Sequence, residues 1–313
     1  MKRLGRESYH YAFDPALTPA LEVDPGESFW VETQDAHRGT VTDESVVYSS
    51  LDEVLEKLGG ANPVTGPIDV RGASPGDCLV VSIEQIVAAP RRRAGYTCTT
   101  PRVEPSLVPE TVICQISGDE VVLPTAAGDA RLPLQPMIGT LGVAPAGGPR
   151  SSFEQGRDIL GNVDLPALKA GARVVVQAQV EGGLLFLGDA HLAQGDAEIH
   201  RAAIEAEADI RLVVELASPD EVGYVELPQL DTEASWGSIA PGPGHLEDLV
   251  RAAYDDLAQR LVTRLGLRRA DAYRLLGAAG RITVGQLVPP LSSVLASIPT
   301  RLLAALEPGR SKE

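Results

Sequence analysis

IDVRGASPGDCLVVSIEQI, residues 68–86, is two apolar alternating runs joined by a Pro-Gly turn, and its reading decides the fold class. Alternation of apolar and polar side chains has the period of a strand, and Gly76 supplies turn geometry at no steric cost. The same unit occurs in LEVDPGESFWVET (21–33, turning at Gly26) and in LPALKAGARVVVQAQV (165–180, turning at Gly171). The spacing of the units is too irregular for a solenoid or propeller, whose repeats keep a fixed period. A sheet protein with edges and corners at these turns is expected.

Helical periodicity enters in two places. SLDEVLEKLGG (50–60) puts Leu51, Val54, Leu55 and Leu58 on one face, with Ser50 as N-cap and Gly59 as terminator. After Pro241 the period changes to 3.6: HLEDLVRAAYDDLAQRLVTRLG (245–266) carries one long apolar stripe, RADAYRLLGAAG (269–280) follows as a second helix, and RITVGQLVPP (281–290) reads as a closing strand or turn. The expected fold is mostly β with a C-terminal α/β segment (α+β). A sandwich- or barrel-like body over 1–240 carries the site, and a helical α/β segment over 241–313 packs on it.

Composition narrows the function. The chain has 313 residues with 31 Gly, 24 Pro and 4% aromatics, a balance that suits short strands and tight turns and excludes a helix bundle. Forty-three acidic against 27 basic residues give a net charge of −16, which disfavours nucleic acid and anionic membrane surfaces. No run approaches a membrane span and the start lacks a signal peptide's apolar core, so a cytoplasmic protein is expected. Cys78, Cys98 and Cys114 have no CxxC spacing and read as reduced thiols, Cys78 and Cys114 within strand-like runs. The basic trio Arg91–Arg93, in a polar stretch at 88–110, reads as a solvated loop.

The chemistry concentrates in GGLLFLGDAHLAQGDAEIH (182–200), where an apolar strand runs into Asp189, His191, Gln194, Asp196 and Glu198. If the backbone stays extended through Asp189 and His191, both side chains leave one face. That spacing suits a divalent metal with mixed oxygen and nitrogen ligands, zinc foremost, leaving Glu198 as a further ligand or a base. The plainer alternative is a polar turn whose Asp and His cap backbone groups. A second D-A-H, Asp35 to His37 in ETQDAHRG (32–39), again ends an apolar run. There His37 reads as a solvent-facing loop residue.

Five ordered phrases, HYAFDPALTPALEVDPGESFWVETQDAHRG, NPVTGPIDVRGASPGDCLVVSIEQI, PMIGTLGVAPA, GNVDLPALKAG and GGLLFLGDAHLAQGDAEI, resemble the acetamidase/formamidase family of amide hydrolases from about His10 to Pro290. The resemblance implies a mostly β architecture, homo-oligomers, and hydrolysis of short amides such as formamide or acetamide to the acid and ammonia. Positions in matching motifs are Asp35, Asn162, Asp164, Asp189, His191, Gln194 and Glu198. Two departures stand out: Ala197 where QGDGE has its last Gly, and Leu160 where GGN begins.

On that resemblance, Asp35, Asp189 and His191 would hold the metal, zinc or alternatively calcium. Glu198 would be the general base, with Asp164 the next carboxylate in line for that role, and Asn162 and Gln194 would orient substrate. Backbone amides of Gly139–Gly142 in MIGTLG would help bind the oxyanion. Two other readings stand beside it: an inactive β-sandwich of the same family that only binds a metal or small ligand, and an amidase with a cysteine nucleophile.

Overall fold

The structure, a computed structural model, describes residues 1–100, 104–223, 226–288, 290–304 and 306. Residues 101–103 of the polar stretch, residue 289 of the closing segment and residues 307–313 of the C-terminal segment lie outside the described residues.

Two large sheets make the body. One has nine strands, running from Lys2–Leu4 at one edge through Ser28–Thr33, Ala208–Ala217, Cys78–Ala88 and Arg173–Gln177 to Ser235–Pro243, Leu291–Pro299 and Arg281–Val288. The other has twelve and centres on Leu185–His191, Met137–Val143 and Val64–Val70.

The Pro-Gly turns are corners between the two sheets. Leu21–Val23 pairs with Val64–Val70 in the twelve-stranded sheet, and beyond Gly26 the chain enters the nine-stranded sheet as Ser28–Thr33. Val64–Val70 does the same through Gly76 into Cys78–Ala88. Gly26 (φ 80°) and Gly76 (φ 98°) both turn in the left-handed region, where a side chain would strain the backbone. In the third unit only Arg173–Gln177 becomes a strand; 165–172 is a loop touching the sheet at the Met137–Lys169 bridge.

Alternation puts the core between the sheets. Phe29, Val31, Val81, Ile83 and Leu212 from one sheet meet Ile68, Val70, Ile138, Leu141 and Leu187 from the other. Burying each such side chain contributes roughly 1.5–3 kcal/mol.

Helix Leu51–Leu58 has the expected caps: Ser50 Oγ accepts from Glu53 N at 3.2 Å, and Gly59 closes it at φ 71°. Helix Leu246–Leu265 lays Leu249, Ala253, Leu257 and Leu261 against Ala240, Val294, Ala296 and Ile298 of the sheet. Its buried Arg260 is held by Asp231 Oδ1 at 2.8 Å and Gly237 O at 3.0 Å. Arg269–Ala279 is the second helix and Arg281–Val288 the closing strand. That strand and Leu291–Pro299 are members of the nine-stranded sheet, so the segment from 241 shares a sheet with the body and supplies Gln286, Val288 and Leu291 to its cavity. No helix among the described residues is long and apolar enough to cross a membrane.

The basic trio is an exposed turn, as expected, with charge partners at its base. Arg91 donates to Asp209 and pairs with Glu207 and Glu32, while Arg92 holds the carbonyls of Gly39 and Val41. Arg92 thus braces the loop that carries Asp35 and His37, while Arg91 ties the turn to the neighbouring strands.

Candidate active site

Leu185–His191 changes neighbour along its length. Up to Gly188 it pairs with Val64–Val70; from Ala190 it pairs with Glu205–Ala206, with Glu205 directly opposite His191. Asp189 sits at the change-over with φ 58°, so the strand is not extended there. Its carboxylate still reaches His191, through a turn of the backbone in place of strand alternation. On the other side Gly139 lets the chains approach: a Cβ there would lie 2.8 Å from Asp189 Oδ2 and closer still to Asp164 Oδ1.

The result is a buried knot of acids around one imidazole. His191 Nε2 lies 3.4 Å from Asp189 Oδ1 and 3.3 Å from Glu205 Oε2. Two sets of donors, Asp164, Asp189 and His191, and His191, Glu198 and Glu205, each have their ligand atoms within 4.8 Å of one another. His191 Nε2, Glu205 Oε2 and Asp164 Oδ1 are buried without a hydrogen-bond partner. Leaving such atoms unpaired costs about 1–3 kcal/mol each, more when charged, so the knot calls for an additional positive group.

The titration of the cluster says the same. Burial pulls the imidazole down, yet the Glu205 and Asp189 carboxylates outweigh it and hold His191 well above the ordinary histidine range. Burial pushes Glu198 up to about 8, opposed by His191 and reinforced by Glu205 and Asp189. Burial, then Glu198 and Asp189, raise Asp164 far above the usual carboxylate range, and burial also raises Glu205 against the pull of His191. The acids hold on to protons, which a divalent cation would displace.

The imidazole is oriented from behind. Gln194 Nε2 donates to the carbonyls of Asp164 (2.5 Å) and Gly285 (3.0 Å), which turns Gln194 Oε1 toward His191 Nδ1 at 2.9 Å. An amide oxygen only accepts, so Nδ1 carries the proton and Nε2 presents its lone pair to Asp189 and Glu205 in neutral His191. Donors about 2.1 Å from a tetrahedral ion stand about 3.4 Å apart, and His191 Nε2 has one oxygen of Asp189 and one of Glu205 at that spacing, each acid in its own donor set with the imidazole.

Next to the knot lies a cavity of about 310 Å³, lined on its polar side by Asp164, Asp189, Glu198, Glu205 and Asn162. Thr140 Oγ1 donates to Asn162 Oδ1 at 2.6 Å and accepts from Asn62 Nδ2 at 3.2 Å. Asn62 Oδ1 is left buried and unpartnered at the cavity wall.

The structure redistributes several sequence assignments. Asp35 is buried, but its Oδ1 accepts from the backbone of His37 (3.0 Å) and Gly39 (2.9 Å), and no donor group among the described residues includes it. The second carboxylate beside His191 Nε2 is Glu205. In IEAEADI, Glu205, Glu207 and Asp209 alternate as acids with the period of one strand face, and that spacing does not say which of them meets His191. His37 is not solvent-facing. Its ring stacks on Tyr48 at 5.0 Å, its Nδ1 meets Tyr96 Oη at 2.6 Å, and burial lowers its pKa to about 4.

The strand holding Gly139–Gly142 is paired on both sides, and its amides at 140–142 face neighbouring strands instead of the cavity. An oxyanion role for them is thereby lost. Cys78 and Cys114 are buried, and Cys98, at the cavity wall, has its thiol pushed up to about 12 by burial and by Glu205 and Glu198, which disfavours the thiolate a nucleophile needs.

Both departures from the motif fall on left-handed backbone. Ala197 has φ 70° and the buried Leu160 φ 64°, the conformation glycine adopts freely. The chain tolerates strain of order 1–3 kcal/mol at each of these positions.

Comparison with known proteins agrees with this architecture. The sequence model of the acetamidase/formamidase family matches residues 2–148 and 154–303. The acetamidase of Bacillus halodurans is 31% identical and superposes with a TM-score of 0.87 over 97% of this chain and 99% of that one. A predicted acetamidase/formamidase of Thermoanaerobacter tengcongensis is 27% identical, with a TM-score of 0.85 over 97% of each chain. In sequence, the chain is 25% identical to an acetamidase of Mycolicibacterium smegmatis over 66% of its own length and 65% of that protein's. It spans 59% of the formamidase of Methylophilus methylotrophus, also at 25% identity. The matched blocks contain Asn62, Asp164, Asp189, His191, Gln194, Glu198 and Glu205, and the chain belongs to the acetamidase/formamidase family.

Proposed function

We propose that this protein hydrolyses a primary carboxamide to the carboxylic acid and ammonia, using a divalent cation held by Asp189, His191 and Glu205. The observation that carries the reading is His191 Nε2, buried and unpartnered, with two carboxylate oxygens at 3.3 and 3.4 Å. An imidazole among carboxylates favours zinc over calcium, which takes oxygen donors. When bound, the cation supplies Lewis acidity to a carbonyl oxygen and acidity to a water.

The chain's own residues do the rest. Gln194 fixes the His191 tautomer, and Thr140 steadies Asn162 and Asn62. The unpartnered Asn62 Oδ1 accepts a hydrogen bond from the substrate's NH₂, which sets the carbonyl carbon toward the acids. Glu198 takes a proton from the attacking water as its oxygen bonds to that carbon, and returns it to the nitrogen as the C–N bond breaks. Hydroxyl ends on the acyl carbon and ammonia leaves, so atoms and charge balance. Family membership also supports a homo-oligomer.

The test is ammonia release from simple amides by protein of measured metal content, before and after chelation. Chelated protein should lose turnover and regain it with zinc, and Glu198→Gln should cut kcat by roughly 10²-fold with metal retained. Full turnover without metal would end the metal assignment, and metal-loaded protein that binds amides without releasing ammonia would favour a binding protein of this family.

A further inference from the structure

The cavity beside the acids has a second face. Besides the acids, apolar side chains line it: Leu51 and Val54 of the short helix, Phe153, and Val288 with Leu291 from the last two strands. Apart from Val54, these side chains are only half-buried, because part of their surface borders the cavity. Apolar area facing an open cavity stabilises nothing until a ligand covers it.

Size decides what that ligand can be. With about 10–15 Å³ of cavity space per water-sized group as a guide, a four-heavy-atom amide such as acetamide needs on the order of 50 Å³. The cavity offers about 310 Å³. An amide of that size held at Asn62 would leave most of the apolar wall uncovered.

Resting on the proposed amide hydrolysis, we propose that the preferred substrate is a carboxamide with an extended apolar acyl group, of butyl to phenylalkyl size, whose carbon chain lies against Leu51, Val54, Phe153, Val288 and Leu291. The carboxamide faces the acids and the hydrocarbon faces the helix. Specificity then resides in the short helix and the last strand pair, whose strand Arg281–Val288 also packs against the turn that carries Glu198.

The experiment uses the metal-loaded full chain and a series of formamide, acetamide, propanamide, butanamide, pentanamide and phenylacetamide. Each added methylene should raise kcat/KM about fourfold, the equivalent of roughly 0.8 kcal/mol per buried CH₂. Leu51→Ala should flatten that slope. A kcat/KM that is level or falls beyond acetamide overturns the proposal. If no amide in the series is turned over, the hydrolysis reading fails, and calorimetric binding of the same amides decides this one separately: pentanamide binding several tens-fold more tightly than acetamide upholds it, and equal affinities overturn it.

Discussion

Glu205 Oε2 stands 3.3 Å from His191 Nε2 because the two residues are directly paired across antiparallel strands, and both atoms are buried without a hydrogen-bond partner. A cross-strand pair has its Cβ atoms about 5 Å apart, close enough for a carboxylate and an imidazole to address one point.

Glu205→Gln should therefore lower metal content at least tenfold, and Asp189→Asn should do the same, as measured by elemental analysis after dialysis against a fixed free-zinc concentration. Asp35→Asn should leave metal content unchanged, since its oxygen is committed to the amides of His37 and Gly39. Loss of metal in the Asp35 variant with retention in the Glu205 variant would reverse the ligand assignment.

Gln194 tests the tautomer. Gln194→Ala removes the acceptor at 2.9 Å from His191 Nδ1 and leaves all three donors to the cation in place. Metal affinity should fall roughly 10- to 100-fold, the usual cost of losing such an outer partner. An unchanged affinity in a competition titration would mean that the imidazole orients itself.

Asn62 is expected to separate binding from chemistry. Asn62→Ala should raise KM for the amide, with metal content intact, by about tenfold, on the scale of one hydrogen bond to a buried acceptor. An unaltered KM would move the NH₂ contact to Asn162.

The burial of His37 predicts an acid-sensitive stability. Its folded pKa of about 4 lies below the unfolded value near 6.5, so the unfolded chain binds more protons in between, and stability falls as pH drops through that window. Between pH 7 and pH 4.5 this one group should cost about 2–3 kcal/mol. His37→Phe, which keeps a ring against Tyr48, should lose that much less than the parent in denaturant titrations at the two pH values. Parallel losses in both proteins would show His37 to be solvated.

Much of the chain is legible without coordinates. The Pro-Gly corners at Gly26 and Gly76, the capped helix from Ser50 to Gly59 and the long helix ending at Gly266 follow from local rules, since turn glycines, caps and periodicity act within a few residues. Asp189, His191, Gln194 and Glu198 are equally visible because one strand and the turn after it carry them all.

Local rules along the chain therefore establish the class of elements and the candidate site residues that lie on one continuous segment. The assembled sheets set the rest: Glu205 opposite His191, Asn62 reaching Thr140, Asp35 tied to its own loop, His37 held by Tyr48 and Tyr96, and the last strand pair walling the cavity. Sheet register and burial set these, and both depend on which distant strands pair. The alternation within a strand says which face a side chain takes, but not which residue of another strand will stand across from it.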